Sequence, residues 1–329
     1  MLKPAYKLTI GSTTIDSLTE PTSSLVISIQ VRLDMDIPAD SFNITLAQGN
    51  ELSVNRGDNV IIELGDKDSM VKVIEGTIVS IEPSITQTKV IGLNAISKLL
   101  DLRINQVYEK QTAGAITADL AGQAEVTVGE KEDGIEFPFY TIDSARNGYE
   151  HIRDLARRCG GDVYLTAESR LVFKGFTKTS ADHIVEYGKE ILEFEKYTQE
   201  EVASGISVFG ESPASSQGAE TSHWLTKDFK DYKGTTGTGL EQRIEDATIK
   251  TKDAADMFAQ AELKAIKKNT VSGMLKILGN ANIKLGDAIE IKGMPNDEMN
   301  GVFQVRGVGH YLSKDTGFIT RIGIRGLDG

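Results

Sequence analysis

Four histidines, one cysteine and 48 acidic residues are the groups in this sequence whose types could carry catalysis or hold a metal. Zinc is held by three or four His, Cys or carboxylate ligands, commonly with two of them a few residues apart. His151, His183, His223 and His310 are scattered, and none stands beside another histidine, Cys159 or a tight carboxylate cluster. No metal site and no cofactor are expected. Nucleophilic catalysis leaves signatures such as a nucleophile elbow or a Cys-His motif, and phosphate chemistry leaves a glycine-rich cradle; the sequence carries none of these. Glycoside hydrolysis requires two carboxyl groups at a fixed separation, which an abundance of acids does not supply. No catalytic residue is assigned, and a non-enzymatic role is expected.

Recognition is the other chemistry to consider. Trp224 is the only tryptophan. It lies in a polar stretch with His223, Leu225 and Phe229, so Trp224 and Phe229 are candidate interface anchors; packing onto their own domain is the equal alternative. Arg56-Gly57-Asp58 precedes an alternating run and reads as a turn leading into a strand. Glu130-Lys131-Glu132-Asp133 reads as a solvated turn. Cys159 falls on the apolar stripe of a helix and reads as a small core residue.

The elements that would position these groups are mainly strands. Phe42-Asn43-Ile44-Thr45-Leu46, then Val60, Ile62 and Leu64, and Ile289 with Ile291 alternate with period 2. Further strand-like runs occupy 70–81, 88–93, 303–312 and 318–324, separated by turn residues. Both ends are therefore β-rich. In the middle, Ile152, Leu155, Ala156 and Cys159 recur at helical spacing, with Ser144 as an upstream cap and Gly160-Gly161 beyond. Ile116 and Leu120 mark a shorter helix, and 163–165 with 171–173 reads as a hairpin. A longer helix is predicted over 253–268, with Ala254, Met257, Phe258, Ala261 and Ala265 as a narrow stripe. Residues 211–240 read as a long loop, a frequent site of binding.

Composition narrows the partners. With 36 basic against 48 acidic residues the formal charge is −12, which argues against a general nucleic-acid binder. One cysteine excludes an internal disulfide. No apolar run approaches the roughly 18 residues of a membrane span, and the N-terminus lacks a signal-peptide pattern. Synthesis in the cytoplasm is expected.

The sequence also repeats itself. Gly57-Asp58-Asn59-Val60-Ile61-Ile62 resembles Gly286-Asp287-Ala288-Ile289-Glu290-Ile291. Each is followed by a Gly-led strand, starting at Gly76 and at Gly301, and then by Thr88-Lys89-Val90-Ile91-Gly92 and Thr320-Arg321-Ile322-Gly323-Ile324. Three strand signals in the same order point to two related β domains, with Gly57, Asp58, Gly286 and Asp287 as their landmark turns. Two such domains in a trimer would present six quasi-equivalent units.

These same residues carry a family resemblance. The run Asn282 to Gly293, then Gly301-Val302-Phe303-Gln304-Val305, Gly309-His310-Tyr311-Leu312 and Phe318 to Ile322, resembles the C-terminal part of the phage late control gene D family. Asp40 to Ile44 through Gly57-Asp58 to Ile78 looks like the first tube-like domain of the same hubs, and 141–173 resembles their helix plus hairpin. The resemblance implies a mainly β protein with an α+β insertion: a tube-like β-barrel domain at 1–105, a small α/β domain at 106–180, and a second tube-like barrel at 181–329. It further implies a structural baseplate hub of a contractile phage tail, tailocin or injection system, related to the hub part of type VI spike proteins. Such a hub is a homotrimer adapting a hexameric tube to a trimeric spike, touching other baseplate proteins and assembled into the particle. The last tube-like strand ends near Gly329, so a separate spike protein is expected. The alternatives are a tail-tip cell-wall hydrolase and a free β-sandwich module binding glycans through Trp224.

Overall fold

The computed structural model describes residues 4–19, 25–47, 54–211 and 232–327. The N-terminal strands are β1 (Pro4–Ile10), β2 (Thr13–Asp16), β3 (Val26–Asp34), β4 (Ser41–Ala47), β5 (Asn59–Asp66), β6 (Ser69–Pro83) and β7 (Gln87–Leu93). Alternation builds them: in β4, Phe42, Ile44 and Leu46 are buried while their neighbours are half-buried on the other face, the pattern of a sheet with one face on a core. Leu8, Ile29, Phe42, Ile62 and Val90 meet in that core.

A short helix, α1 (Ile96–Asp101), leads into a middle unit. It comprises β8 (Gln106–Thr112), α2 (Ala113–Gln123), β9 (Thr127–Lys131), β10 (Glu136–Ile142), α3 (Gly148–Cys159), β11 (Asp162–Leu165) and β12 (Arg170–Lys174). α3 is delimited by its ends. Asn147, and not Ser144, is the N-cap: its side chain accepts from the Glu150 N–H at 2.8 Å while Glu150 accepts from the Asn147 N–H at 2.9 Å. Gly160 closes the helix in the left-handed conformation. Asn147→Ala is expected to cost about 1 kcal/mol in urea unfolding, with faster hydrogen exchange confined to the first turn of α3.

The chain continues through β13 (His183–Glu186), β14 (Ile191–Thr198), β15 (Gly205–Phe209), β16 (Lys233–Gly237), β17 (Glu241–Glu245), α4 (Lys252–Asn269), β18 (Val271–Leu278), β19 (Ala288–Lys292), β20 (Gly301–Ser313) and β21 (Gly317–Gly326). Two features differ from the sequence reading. The C-terminal part of the expected loop over 211–240 contains β16, which pairs with β15. Its Gly-Thr-rich composition suits close approach: a Cβ on Gly234 would lie 2.1 Å from the backbone of Ala255 in α4. Second, β15 and α4, which the sequence reading assigned to the second barrel, share the buried cluster of the middle unit through Ile206, Val208, Ala255, Phe258 and Ala259. The buried stripe of α4 is turned accordingly, so that Ala255 and Ala259 are inside and Met257 is 42% exposed.

The fold is mainly β, dominated by one 13-stranded sheet with the order β14-β18-β21-β20-β3-β4-β7-β6-β5-β1-β2, to which β19 and β13 attach beside β20. The N-terminal order β5-β6-β7-β4-β3 is matched strand for strand by β19-β20-β21-β18-β14, antiparallel throughout. Bulges recur at corresponding places, Val26/Ser28 with Ile191/Glu193 and Ile78/Ser80 with Val305/Gly307. The register pairs Thr77 with Leu93 and Gln304 with Arg325, which makes Gly76 the counterpart of Phe303. Gly76 and Gly301 are therefore not equivalent, because the sequence match between them slides by two along the strand. The halves differ where an outer strand is added: β1 joins β5 antiparallel, whereas β13 joins β19 parallel.

Candidate assembly surface

The two halves of the duplicated sheet are joined by one strand pairing. β20 outruns its neighbour β19, which pairs only with residues 301–304. Its remaining length, from Gly307 to Ser313, pairs antiparallel with β3 from Asp34 to Ser28. On the core side of this seam Val308 and Leu312 are buried with Ile29 and Val31. The opposite face of the wall mixes apolar positions with basic side chains and the carboxylates of Asp34 and Asp36. Gln30, Arg32, Lys276, Tyr311, Arg321 and Arg325 line a concave groove of about 980 Å³ there, although the chain as a whole is acidic.

A charged junction backs the seam. Arg306 sits at the β20 bulge and donates Nη1 to Asp162 of β11 at 2.7 Å, Nε to Asp36 at 3.0 Å and Nη2 to Asp36 at 2.6 Å. Gln304 also donates to Asp162, at 2.8 Å. All three units thus meet at one guanidinium. Burial opposes ionisation of Asp162, yet Arg306 and Arg325 outweigh it and hold the carboxyl below the usual range. Burial likewise disfavours the Arg306 charge, and Asp36 and Asp162 more than restore it. The other end of the turn that carries Asp36 is fixed by Asp40, which accepts from the Asp34 N–H at 2.9 Å and from Asn94 Nδ2 at 2.6 Å. Burial pushes the Asp40 carboxyl up to about 7 against the Asp34 hydrogen bond.

The landmark turns occupy corresponding places. Gly57 N–H donates to the Ile78 carbonyl at 2.9 Å and Ile78 N–H to Asp58 at 3.0 Å; Gly286 and Val305 with Asp287 repeat this at 3.0 and 2.8 Å. Asp58 Oδ2 accepts from the Asn55 N–H at 2.8 Å, and Asp287 Oδ2 from the Lys284 N–H at 2.9 Å. Both glycines have positive φ, 91° and 78°. Asp287 is further bound to His183 and Lys178, each at 3.0 Å.

Trp224 and Phe229, the candidate anchors, lie outside the described residues. Among the described residues no group of three or more His, Cys, Asp or Glu side chains is placed to hold a metal ion, and no helix is long and apolar enough to cross a membrane. Cys159 packs against the middle core, where burial pushes its thiol up. His310 is buried under the seam, with Nδ1 3.1 Å from Thr320 Oγ1, and burial lowers it to about 4. Sequence reasoning missed Arg306, Asp162 and Asp36. The one available signal was a lone arginine between the hydrophobic Val305 and the strand glycine Gly307.

No known family profile matches the sequence. No curated protein is similar to it in sequence. Solved structures do match, over nearly the whole chain. The 43 kDa tail protein of prophage MuSo2 from Shewanella oneidensis is 13% identical, with a TM-score of 0.73 and 98% of each chain covered. A tail protein from Neisseria meningitidis MC58 is 15% identical, with a TM-score of 0.74 over 98% of this chain and 96% of that one. The Escherichia coli c3393 protein is described as a component of the type VI secretion system with structural similarity to the T4 bacteriophage tail proteins gp27 and gp5. It is 10% identical, with a TM-score of 0.64 over 98% of this chain and 77% of its own. The duplicated sheet, its seam and the middle α/β unit thus make up a fold that this chain shares with phage tail proteins.

Proposed function

We propose that this chain is a structural component of a phage-like tail or injection particle, and within it the central hub: a homotrimer that adapts a hexameric tube to a trimeric spike. The observation that carries the reading is the duplicated five-strand sheet joined into one wall by β3 and β20. Three copies would supply six similar sheets to a six-fold tube ring and a three-fold face to a spike. The shared fold of tail proteins and of a type VI secretion component supports the same reading.

The mechanism is mechanical. The tube ring docks on one rim of the six sheets, the spike on the other, and further baseplate proteins meet the periphery. The largely buried carboxylates suit this role better than hydrolysis. A general acid needs a raised pKa and access to substrate. Asp162, Asp246 and Asp287 are instead held low, against burial, by arginine, histidine and lysine partners. Asp40, which is raised, is only 3% exposed and bonded to Asn94. Light scattering on the purified protein is expected to give three times the chain mass, and a complex of one trimer with one trimeric spike when the spike protein is added. A monomer that binds neither tube nor spike protein would overturn the reading.

A further inference from the structure

The internal seam has a counterpart that the described residues of a single chain leave open. Through the corresponding bulges, Gly307 is the counterpart of Ser80 and Val308 that of Ile81, as far as His310 and Pro83, where β6 ends. By the same register Arg32 corresponds to Tyr197 and Ile29 to Phe194. Within the chain, residues 307–313 of the second repeat are covered by β3 of the first. The counterpart segment of the first repeat, from residue 80 on, has β7 on one side only among the described residues. Among the described residues the counterpart of β3, β14, pairs only with β18 and ends the sheet.

Burial marks the difference between the closed joint and the open one. Val308, covered by β3, is 1% exposed, and its counterpart Ile81 is half-buried. Ile29 is fully buried, whereas its counterpart Phe194 is half-buried. An uncovered strand edge, with its unpaired backbone donors and acceptors, is a template for another strand. Within one chain these two edges belong to opposite repeats, at the two ends of the joined wall, so a second copy of the chain is the occupant whose edge is built to match.

We propose that β14 of one copy pairs antiparallel with residues 80–84 of the next, repeating the β3–β20 register, with Glu82 opposite Tyr197 and Ser84 opposite Glu195. The contact is head-to-tail, so it closes into a ring when the rotation per copy divides a full turn; that it closes at three rests on the homotrimer reading above. The Ser84 N–H bonds across the hairpin to the Gln87 carbonyl. Alternation then aims the backbone of Ile81 and Pro83 at the free edge. Pro83 offers no donor, so the ladder has one bond fewer there, which also discourages addition of unrelated strands. Glu82 becomes a non-hydrogen-bonded position, where facing side chains lie closest.

The test is Glu82→Cys combined with Tyr197→Cys, oxidised with glutathione disulfide, alongside each single variant and the register-shifted pair Glu82→Cys with Glu195→Cys. The expected result is covalent joining of copies in the first pair alone, up to three chain masses on a denaturing gel. Light scattering of the reduced protein separates the two claims. A trimer whose first pair stays reduced overturns the strand pairing and leaves the trimer standing. Cross-linking that runs on beyond three upholds the pairing and overturns closure at three. A monomer that never cross-links overturns both.

Discussion

Arg306→Ala is expected to cost about 3–5 kcal/mol, the range for breaking a buried ion pair by removing one partner. The guanidinium is 12% exposed, as is Asp162, and its two partners come from the N-terminal and middle units. Truncation leaves the Asp162 carboxylate in a site where burial already opposes its charge, with only Arg325 at 3.6 Å and Gln304 remaining. Asp36 is 65% exposed and can turn to water, so its share of the loss is small. Urea unfolding of Arg306→Ala, Asp162→Ala and the double variant forms a cycle that isolates the pair. The double variant is expected to recover part of the loss, since no charge is then stranded. A loss below about 1 kcal/mol in Arg306→Ala would mean that the junction behaves as a surface pair. Arg306→Lys keeps the charge but cannot span Asp36 and Asp162 with a planar fork, so it should fall between wild type and alanine.

What the sequence carries and what it withholds follow from the range of the interactions. Alternation in Phe42, Ile44 and Leu46 is a local pattern, and it is legible because one face of the strand is buried and the other is not. The helical stripe of Ile152, Leu155 and Ala156 is legible for the same reason. The turns at Gly57-Asp58 and Gly286-Asp287 were readable because a left-handed glycine and an aspartate bonding back to the preceding backbone form a short, self-contained unit. Register was not readable. Gly76 and Gly301 resemble one another as residues, but the pairing to β7 and β21 decides equivalence, and it makes Phe303 the counterpart of Gly76. β16 was hidden because Gly and Thr look like a loop until α4 is seen packed on Gly234. The junction was least accessible of all: Arg306 lies 270 residues from Asp36 and 144 from Asp162, and no local pattern reports a contact at such separations.

The two buried titratable groups near the seam should oppose each other in the pH dependence of stability. Asp40 has an unfolded value near 3.8 and a folded value of about 7. Between these the unfolded chain has released a proton that the folded chain retains, so Asp40 lowers stability as pH rises through this window and adds no slope above it. His310 goes from about 6.5 unfolded to about 4 folded, because burial disfavours the imidazolium. Over that interval the unfolded chain holds the extra proton, so stability rises with pH until the unfolded histidine is neutral. At about 1.4 kcal/mol for each unit, the two contributions are each on the order of 3–4 kcal/mol and opposite in sign. The wild type is therefore expected to show a shallow profile between pH 4 and 7 that conceals two steep ones. Asp40→Asn, which keeps an acceptor for the Asp34 N–H, should unmask a stability that climbs from pH 4 to 6.5. His310→Leu should unmask one that declines from pH 4 to 7. The readout is the slope of the urea midpoint against pH, which is insensitive to any constant cost of the substitution itself. Parallel profiles for wild type and both variants would mean that neither group titrates under the seam as its burial requires.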